Sequence, residues 1–339
     1  MFRTVKLILQ PILDALFKPG IRWEYRWRLL LLQPISILTY LVTAPAWIFS
    51  RSYDVSWIPT QEGRSVRALI FQPRKRQPNK LHPLHLDIHG GGFLGGLPEY
   101  EAKFNSLLCE RTGAVVVSTQ YRYAPSHSFP AAIDDIDDVV QYLIQNAERL
   151  WSADPNLMTV SGFSAGGNLA LAACQQSPCH APASTAIKAS VTFYAPIDLR
   201  MPPAGKPKPP KFPKKDPLKI LMPLFDAYAQ PVRAKNIANP RLSPILSNVT
   251  KLPNDMLLVI AGIDILAHEQ LTFVERLKKD LEERGEQGRR IEAKVYDEGF
   301  HGWLELPFKL FEADKKEVFG MAVNFLEDTY KKHGRELDQ

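Results

Sequence analysis

From residue 65 onward, short apolar runs alternate with longer amphipathic stretches. The runs at 66–71, 84–89, 114–119, 157–160, 189–194, 256–261 and 291–296 read as strands. Between and after them, 99–111, 131–148, 165–176, 267–284 and 313–332 read as helices. The run at 84–89 is two-faced, with Leu84, Leu86 and Ile88 on one side and His85, Asp87 and His89 on the other. Buried strands alternating with amphipathic helices predict an α/β fold: a mostly parallel, doubly wound sheet covered by helices on both faces.

Two regions depart from this rhythm. Residues 1–20 form a mixed basic and apolar stretch that predicts an amphipathic helix, interrupted near Pro11 and stopped at Pro19-Gly20. Arg22, Arg26 and Arg28 then precede an uncharged run from 29 to 49. As a helix this run is about 30 Å long, enough to cross a bilayer core, with aromatics at both ends. The basic excess before it would keep the N-terminus cytosolic and place the rest in the lumen, as in an endoplasmic-reticulum protein. Gln33, Pro34, Ser36 and Pro45 weaken a straight span, so membrane association through 29–49 stands beside a second expectation, an interfacial helix or a hydrophobic cap over a soluble enzyme. The leader before the apolar run is too long for a cleaved signal peptide. The second region is 199–245, where eight prolines between Pro202 and Pro223 and six lysines between Lys206 and Lys219 exclude regular structure through Asp216 and a short helix is expected over 218–229. The resulting division is 1–60 as a hydrophobic N-terminal segment and 61–339 as the α/β domain, with 199–245 inserted as a lid or cap.

Composition changes little in this picture. A hydrophobic content of 45% and a charged content of 23% are those of an ordinary globular protein. The net charge of +6 suggests nucleic acid until it is located. Six lysines (206, 208, 211, 214, 215, 219) face the single Asp216 in one segment, no basic–aromatic interleaving occurs elsewhere, and nucleic acid is not expected as a partner. Cys109, Cys174 and Cys179 make no disulfide framework; Cys174 and Cys179 are close enough in sequence to pair, with free thiols the favoured reading. The sequon Asn248-Val-Thr250 is at chance level.

The chemistry lies at strand ends. Ser164 sits in Gly162-Phe-Ser-Ala-Gly166, between a short strand and a small-residue helix, the pattern of a nucleophile elbow in which flanking Gly162 and Gly166 let strand and helix approach. Upstream, His89-Gly90-Gly91-Gly92 follows a strand; Gly91 and Gly92, with the N–H of Ala165, provide three uncrowded donors for the oxygen anion of a tetrahedral intermediate. No phosphate-loop pattern competes. His301 follows the last strand in Glu298-Gly-Phe-His-Gly-Trp303 and can relay a proton. Asp264 follows the strand at 256–261 and can orient that histidine; Asp297 is too near His301 in sequence, and Glu269 falls inside the next helix. Two clusters are read as structural rather than metal-binding: His82, His85 and His89 on one strand, and Asp134, Asp135, Asp137 and Asp138 at a helix start, where they favour the dipole and can meet Arg122.

Over about residues 65–330 the chain resembles the hormone-sensitive-lipase-like esterases, the α/β-hydrolase fold-3 family. The resemblance rests on His89-Gly-Gly-Gly92, Tyr121-Arg-Tyr-Ala-Pro125, Gly162-Phe-Ser-Ala-Gly-Gly167, Gly262-Ile-Asp-Ile-Leu266 and Phe300-His-Gly302. It implies an α/β-hydrolase fold with a helical cap, hydrolysis of small-molecule carboxylic esters without a cofactor or metal, a Ser164–His301–Asp264 triad, and an oxyanion hole from Gly91, Gly92 and Ala165. Apolar acyl or acetyl esters are the expected substrates. Thioester, amide or formamide hydrolysis and acyl transfer would use the same triad, while a non-catalytic receptor on this fold would be expected to lose it. Three positions depart from the family pattern: Phe163 stands where an acidic residue often precedes the serine, Ser126 where glutamate usually follows Ala-Pro, and His268 where a second aspartate often follows the catalytic one.

Overall fold

The computed structural model describes residues 2–49, 51–74, 80–176, 187–216, 219–306 and 311–334. Eight strands form one sheet: β1 (Asp54–Pro59), β2 (Ser65–Phe71), β3 (His82–Ile88), β4 (Val115–Thr119), β5 (Ala153–Phe163), β6 (Ala189–Phe193), β7 (Asp255–Ala261) and β8 (Arg290–Tyr296). Their spatial order is β1-β2-β4-β3-β5-β6-β7-β8. The β1–β2 and β2–β4 pairs are antiparallel and every other pair is parallel. β3, β4, β6 and β7 are buried along their whole lengths, as expected of strands covered on both faces.

Alternate residues of these strands feed two different cores. Leu84, Leu86, Ile88, Val115, Val117 and Val160 pack against α4 (Ala131–Trp151) and α5 (Ala165–Ala173). Val116, Val191, Phe193, Leu257 and Val259 face the other way, toward α3 (Ala102–Thr112) and α8 (Glu312–Lys332). α7 (Ala267–Glu283) covers Met256, Leu258 and Ile260 on the first face. The period-two alternation of strands thus builds the doubly wound arrangement expected from the sequence.

β1 was not visible in the sequence, and it falls inside the segment assigned to residues 1–60. It is an edge strand of six residues with only Ile58 buried, so its hydrophobic signal is slight. Registered from Asp54 opposite Ile70 to Pro59 opposite Ser65, it starts the sheet before the expected boundary.

The N-terminal segment forms α1 (Phe2–Phe17), with Pro11 inside it, and α2 (Trp23–Phe49). Arg26 ties them by donating to the carbonyls of Ala15, at 2.6 Å, and Lys18 near the end of α1. One face of α2 lies on the rest of the protein. Tyr25 Oη donates to Gln230 Oε1 at 3.0 Å, Arg28 Nε to the Ile220 carbonyl at 2.7 Å, and Tyr40 stacks on Tyr100 with centroids 5.5 Å apart. Ser126 Oγ donates to Asp14 of α1. Among the described residues no helix is long and apolar enough to cross a membrane. The run 29–49, weighed as a span or as an interfacial or cap helix, is here part of a helix that lies on the rest of the protein at Leu29, Gln33 and Tyr40 and leaves Leu31, Ile35, Leu38 and Val42 exposed.

In the insertion 199–245 the regular structure is one 3₁₀ turn before Asp216, at Pro203–Gly205, and then short pieces including α6 (Met222–Phe225). Its lysines do not all face solvent: Lys206 is buried, pairs with Glu269 and donates to the Asp198 carbonyl at 2.7 Å. Cys179, and with it the considered pairing to Cys174, lies outside the described residues.

Candidate active site

β5 runs directly into Ser164, and α5 begins at the next residue. Ser164 adopts φ 47° and ψ −119°, a backbone conformation that L-residues rarely hold and that costs on the order of 1–3 kcal/mol. Surrounding structure enforces it: Ser164 N–H donates to the Phe193 carbonyl of β6 at 2.8 Å. At Gly166 the first turn of α5 passes so close to β3 that a Cβ would lie 1.9 Å from the Ile88 carbonyl oxygen. No other residue fits there.

Three loops at the carboxyl ends of strands converge on this turn. Ser164 Oγ lies 2.7 Å from His301 Nε2, and His301 Nδ1 lies 2.6 Å from Asp264 Oδ2. Asp264 is also fixed locally, with Oδ1 accepting the Leu266 N–H at 3.1 Å. The carboxylate is almost wholly buried, whereas the imidazole is 35% exposed. Burial works against the imidazolium, yet the Asp264 charge and hydrogen bond, with Glu305 behind them, hold the His301 pKa above the ordinary histidine value of 6.5. With Nδ1–H donated to Asp264, Nε2 is left as the acceptor for the serine hydroxyl.

The glycine loop lies beside the same turn. Gly91 has φ +108°, and a Cβ there would stand 2.2 Å from the Gly95 carbonyl oxygen. His89 anchors the loop from beneath: its ring stacks on Tyr121 with centroids 4.6 Å apart, and Nδ1 donates to the Gly90 carbonyl at 2.6 Å. Burial pushes the His89 pKa down to about 4, so the ring is neutral and structural. Phe225 of α6 approaches Gly92, with a ring carbon 3.2 Å from where a Cβ would be. The insertion therefore reaches the candidate oxyanion loop.

Glu305 and Tyr194 were not found from the sequence. Tyr194 Oη donates to Glu305 Oε2 at 3.0 Å, and its ring stands edge-on to His301 at 5.2 Å. The available signal was a lone acid between Leu304 and Leu306, four residues after His301.

A second set of the same residue types lies inside the sheet, three residues back along β5 at Ser161. His85 Nε2 is 2.8 Å from Ser161 Oγ, and Ser161 donates to Asp87 Oδ1 at 2.7 Å. All three are fully buried. Here serine stands between histidine and aspartate, so the carboxylate neither orients nor charges the imidazole. Burial pushes the His85 pKa down to about 3 and raises that of Asp87. Asn105 and Ser118 each complete Asp87 at 2.8 Å, and His85 Nδ1 meets Thr159 at 2.7 Å. This network satisfies buried polar groups and offers no ester a path to serine.

Both clusters make polar contacts within the fold. His82 Nδ1 meets the Gly113 carbonyl at 2.8 Å, and among the described residues no group of His, Cys, Asp or Glu is arranged to hold a metal. Asp135 takes the Arg122 guanidinium at 3.0 Å and that of Arg64 at 2.9 Å. Arg241 bridges Asp134 and Asp137, while Asp138 receives Gln61.

A family model described as the alpha/beta hydrolase fold matches residues 85–305. The chain belongs to that family, in its hormone-sensitive-lipase-like branch. It is 31% identical to an AB hydrolase superfamily protein of Schizosaccharomyces pombe, over 65% of each chain, so it spans just under two thirds of that relative's length. It is 25% identical to the ethyl acetate hydrolase of Pseudomonas putida over 80% of each. Among solved structures, a thermophilic carboxylesterase cloned from a metagenomic library superposes with a TM-score of 0.73 at 26% identity, covering 89% of this chain and 97% of that one.

Proposed function

We propose that this protein is a serine carboxylic-ester hydrolase in which Ser164 attacks, His301 relays the proton and Asp264 orients His301. The observation that carries the reading is the continuous hydrogen-bonded line from Ser164 Oγ through His301 to Asp264, 2.7 Å and 2.6 Å long. In the first half-reaction Ser164 Oγ bonds to the ester carbonyl carbon while its proton passes to His301 Nε2. The carbonyl oxygen becomes an anion facing the N–H groups of Gly91, Gly92 and Ala165. Collapse expels the alkoxide, which takes the proton from His301; water then repeats the sequence on the acyl-serine.

No metal or cofactor enters this scheme. The cap is formed by α1 and α2 together with 199–245. Phe225 brings an apolar ring against Gly92, which supports apolar acyl or acetyl esters as substrates. That the Pseudomonas putida relative is named an ethyl acetate hydrolase agrees with small esters.

The test is a chain-length series of p-nitrophenyl esters with wild type, Ser164→Ala and His301→Ala, together with labelling by a fluorophosphonate. Turnover of at least one ester, with a label that Ser164→Ala abolishes, is expected. If pure wild-type protein neither turns over any ester nor takes the label, the reading fails.

A further inference from the structure

α2 is apolar on two sides, and only one of them is covered. Tyr25, Leu29, Gln33 and Tyr40 are buried against the protein. Leu31, Ile35, Leu38 and Val42 follow the spacing 4, 3, 4 and so form a second stripe along the helix, all of it exposed. Leu38 is 62% exposed and the neighbouring Leu41 67%. α1, packed against α2, repeats the pattern with Val5, Leu9, Leu13 and Leu16, and Phe17 and Trp23 stand exposed at the connection. Residues 29–43 carry no charge. An exposed apolar area built from two adjacent helices is larger than the scattered leucines of an ordinary surface and calls for a covering phase.

The charges around it say which phase. Residues 1–28 hold six basic side chains and two acidic ones. One acid, Asp14, is turned inward onto Ser126, and the other, Glu24, pairs with Arg22 at 2.8 Å. The bond from Arg28 to the Ile220 carbonyl sets the lysine-rich insertion next to α2, where Lys219 is exposed beside the exposed Ile220; Lys214 and Lys215 of the same insertion are also exposed. A second copy seated on this face would bring the basic rim against itself, since a two-fold contact pairs like with like. A bilayer carrying anionic headgroups matches both features: acyl chains for the stripes and phosphates for the rim.

We propose that α1 and α2 rest their exposed stripes in the interface of an anionic lipid bilayer, lying on the membrane rather than crossing it. An amphipathic helix so placed sinks about 5–10 Å, to the headgroup–acyl boundary. The opposite side of the same helices touches the site: Pro11 of α1 lies 3.7 Å from where a Gly95 Cβ would be in the glycine loop, and α6, which carries Phe225, packs on α2. The esters delivered to Ser164 are then ones dissolved in the membrane. This last step rests on the ester-hydrolase reading; the docking itself does not.

The experiment uses the full chain with vesicles of phosphatidylcholine alone and of phosphatidylcholine with phosphatidylserine, separated by flotation. Wild type is expected to float with the mixed vesicles, less with phosphatidylcholine alone, and less again in high salt. Ile35→Asp/Leu38→Asp is expected to lower the partition coefficient about tenfold or more, because two apolar contacts are replaced by charges repelled by the lipid. The same variant should keep its rate on water-soluble p-nitrophenyl acetate, which shows that it is folded with its site intact. Ser164→Ala should float like wild type, so vesicle binding survives even where the ester-hydrolase reading fails. Absence of wild type from both vesicle types, flotation unchanged by the double variant, or a dimer in sedimentation that the double variant dissociates would overturn the proposal; in the last case the occupant is a second copy.

Discussion

Two Ser–His–Asp sets place their serines three residues apart, Ser161 within β5 and Ser164 just past its end, and they are opposites. In one, Ser164 meets His301, which meets Asp264. In the other, His85 meets Ser161, which meets Asp87. Residue type is the same in both; order and burial differ. Where the imidazole lies between hydroxyl and carboxylate, at the end of the strands, its pKa is raised. Where the serine lies in between, within the sheet, the imidazole is driven down to about 3 and cannot accept a proton at neutral pH. Chemistry is thus set by the sequence of contacts and by access, since a carboxylate helps a base only through direct contact with it.

The largest effects separate the two sets. Ser164→Ala is expected to lower kcat by about 10⁴-fold or more without loss of thermal stability, and Asp264→Asn by about 10⁴-fold through the wrong tautomer of His301. Steady-state rates on p-nitrophenyl acetate with melting curves check both. Ser161→Ala should do the reverse. It leaves His85 and Asp87 each short of a partner in the core, at about 1–3 kcal/mol in a denaturant titration, with activity within a few-fold of wild type. A larger loss of activity in Ser161→Ala than in Ser164→Ala would reverse the assignment.

The departures from the family pattern sharpen the contrast between what patterns encode and what packing encodes. Phe163 precedes the serine where an acid is often found, and its ring stacks on Phe193 at 4.1 Å and meets Phe104 and Phe319 edge-on. Phe163→Asp, which restores the family's residue type, places an unpaired charge in this aromatic cluster. It should destabilise by about 3–5 kcal/mol in the same titration. Ser126, in place of glutamate, receives its carboxylate from elsewhere: Asp14 of α1 meets it, so the N-terminal helix is tied to the motif loop.

Strand and helix periodicity made most of the sheet readable, because β3, β4, β6 and β7 are long enough and apolar enough to show their burial. Ser164, His301, Asp264 and the glycine loop were readable for a different reason: each sits just past a strand end, where a polar residue between glycines stands out. The edge strand β1 carries little apolar signal and was lost. Glu305 and Phe225 reach the site only through tertiary packing, from a loop and an insertion whose local sequence names no partner. Hydropathy leaves the run 29–49 open between a span and an interfacial or cap helix, because it counts residues and not faces.

The smallest predicted effect concerns His301, where burial and the neighbouring carboxylates act in opposite directions. Burial favours neutral His301, while Asp264, by charge and hydrogen bond, and then Glu305, by charge, favour the imidazolium, and the balance lies above 6.5. The base works only when neutral, so kcat/KM should fall as pH falls through a midpoint above 6.5. Removing either acid removes a force that favours the proton, so both substitutions move the midpoint down. Asp264→Asn should move it further, because it deletes a contact as well as a charge. Glu305→Gln should move it in the same direction but less than Asp264→Asn, while keeping kcat on the alkaline plateau within a few-fold of wild type, since Glu305 meets Tyr194 rather than the reacting atoms. The pH profile of Glu305→Gln and an NMR titration of the imidazole in Asp264→Asn measure the two shifts. A midpoint that rises in either variant would mean that burial, and not the flanking carboxylates, governs His301, and the line between the two serine–histidine sets would have to be redrawn on exposure alone.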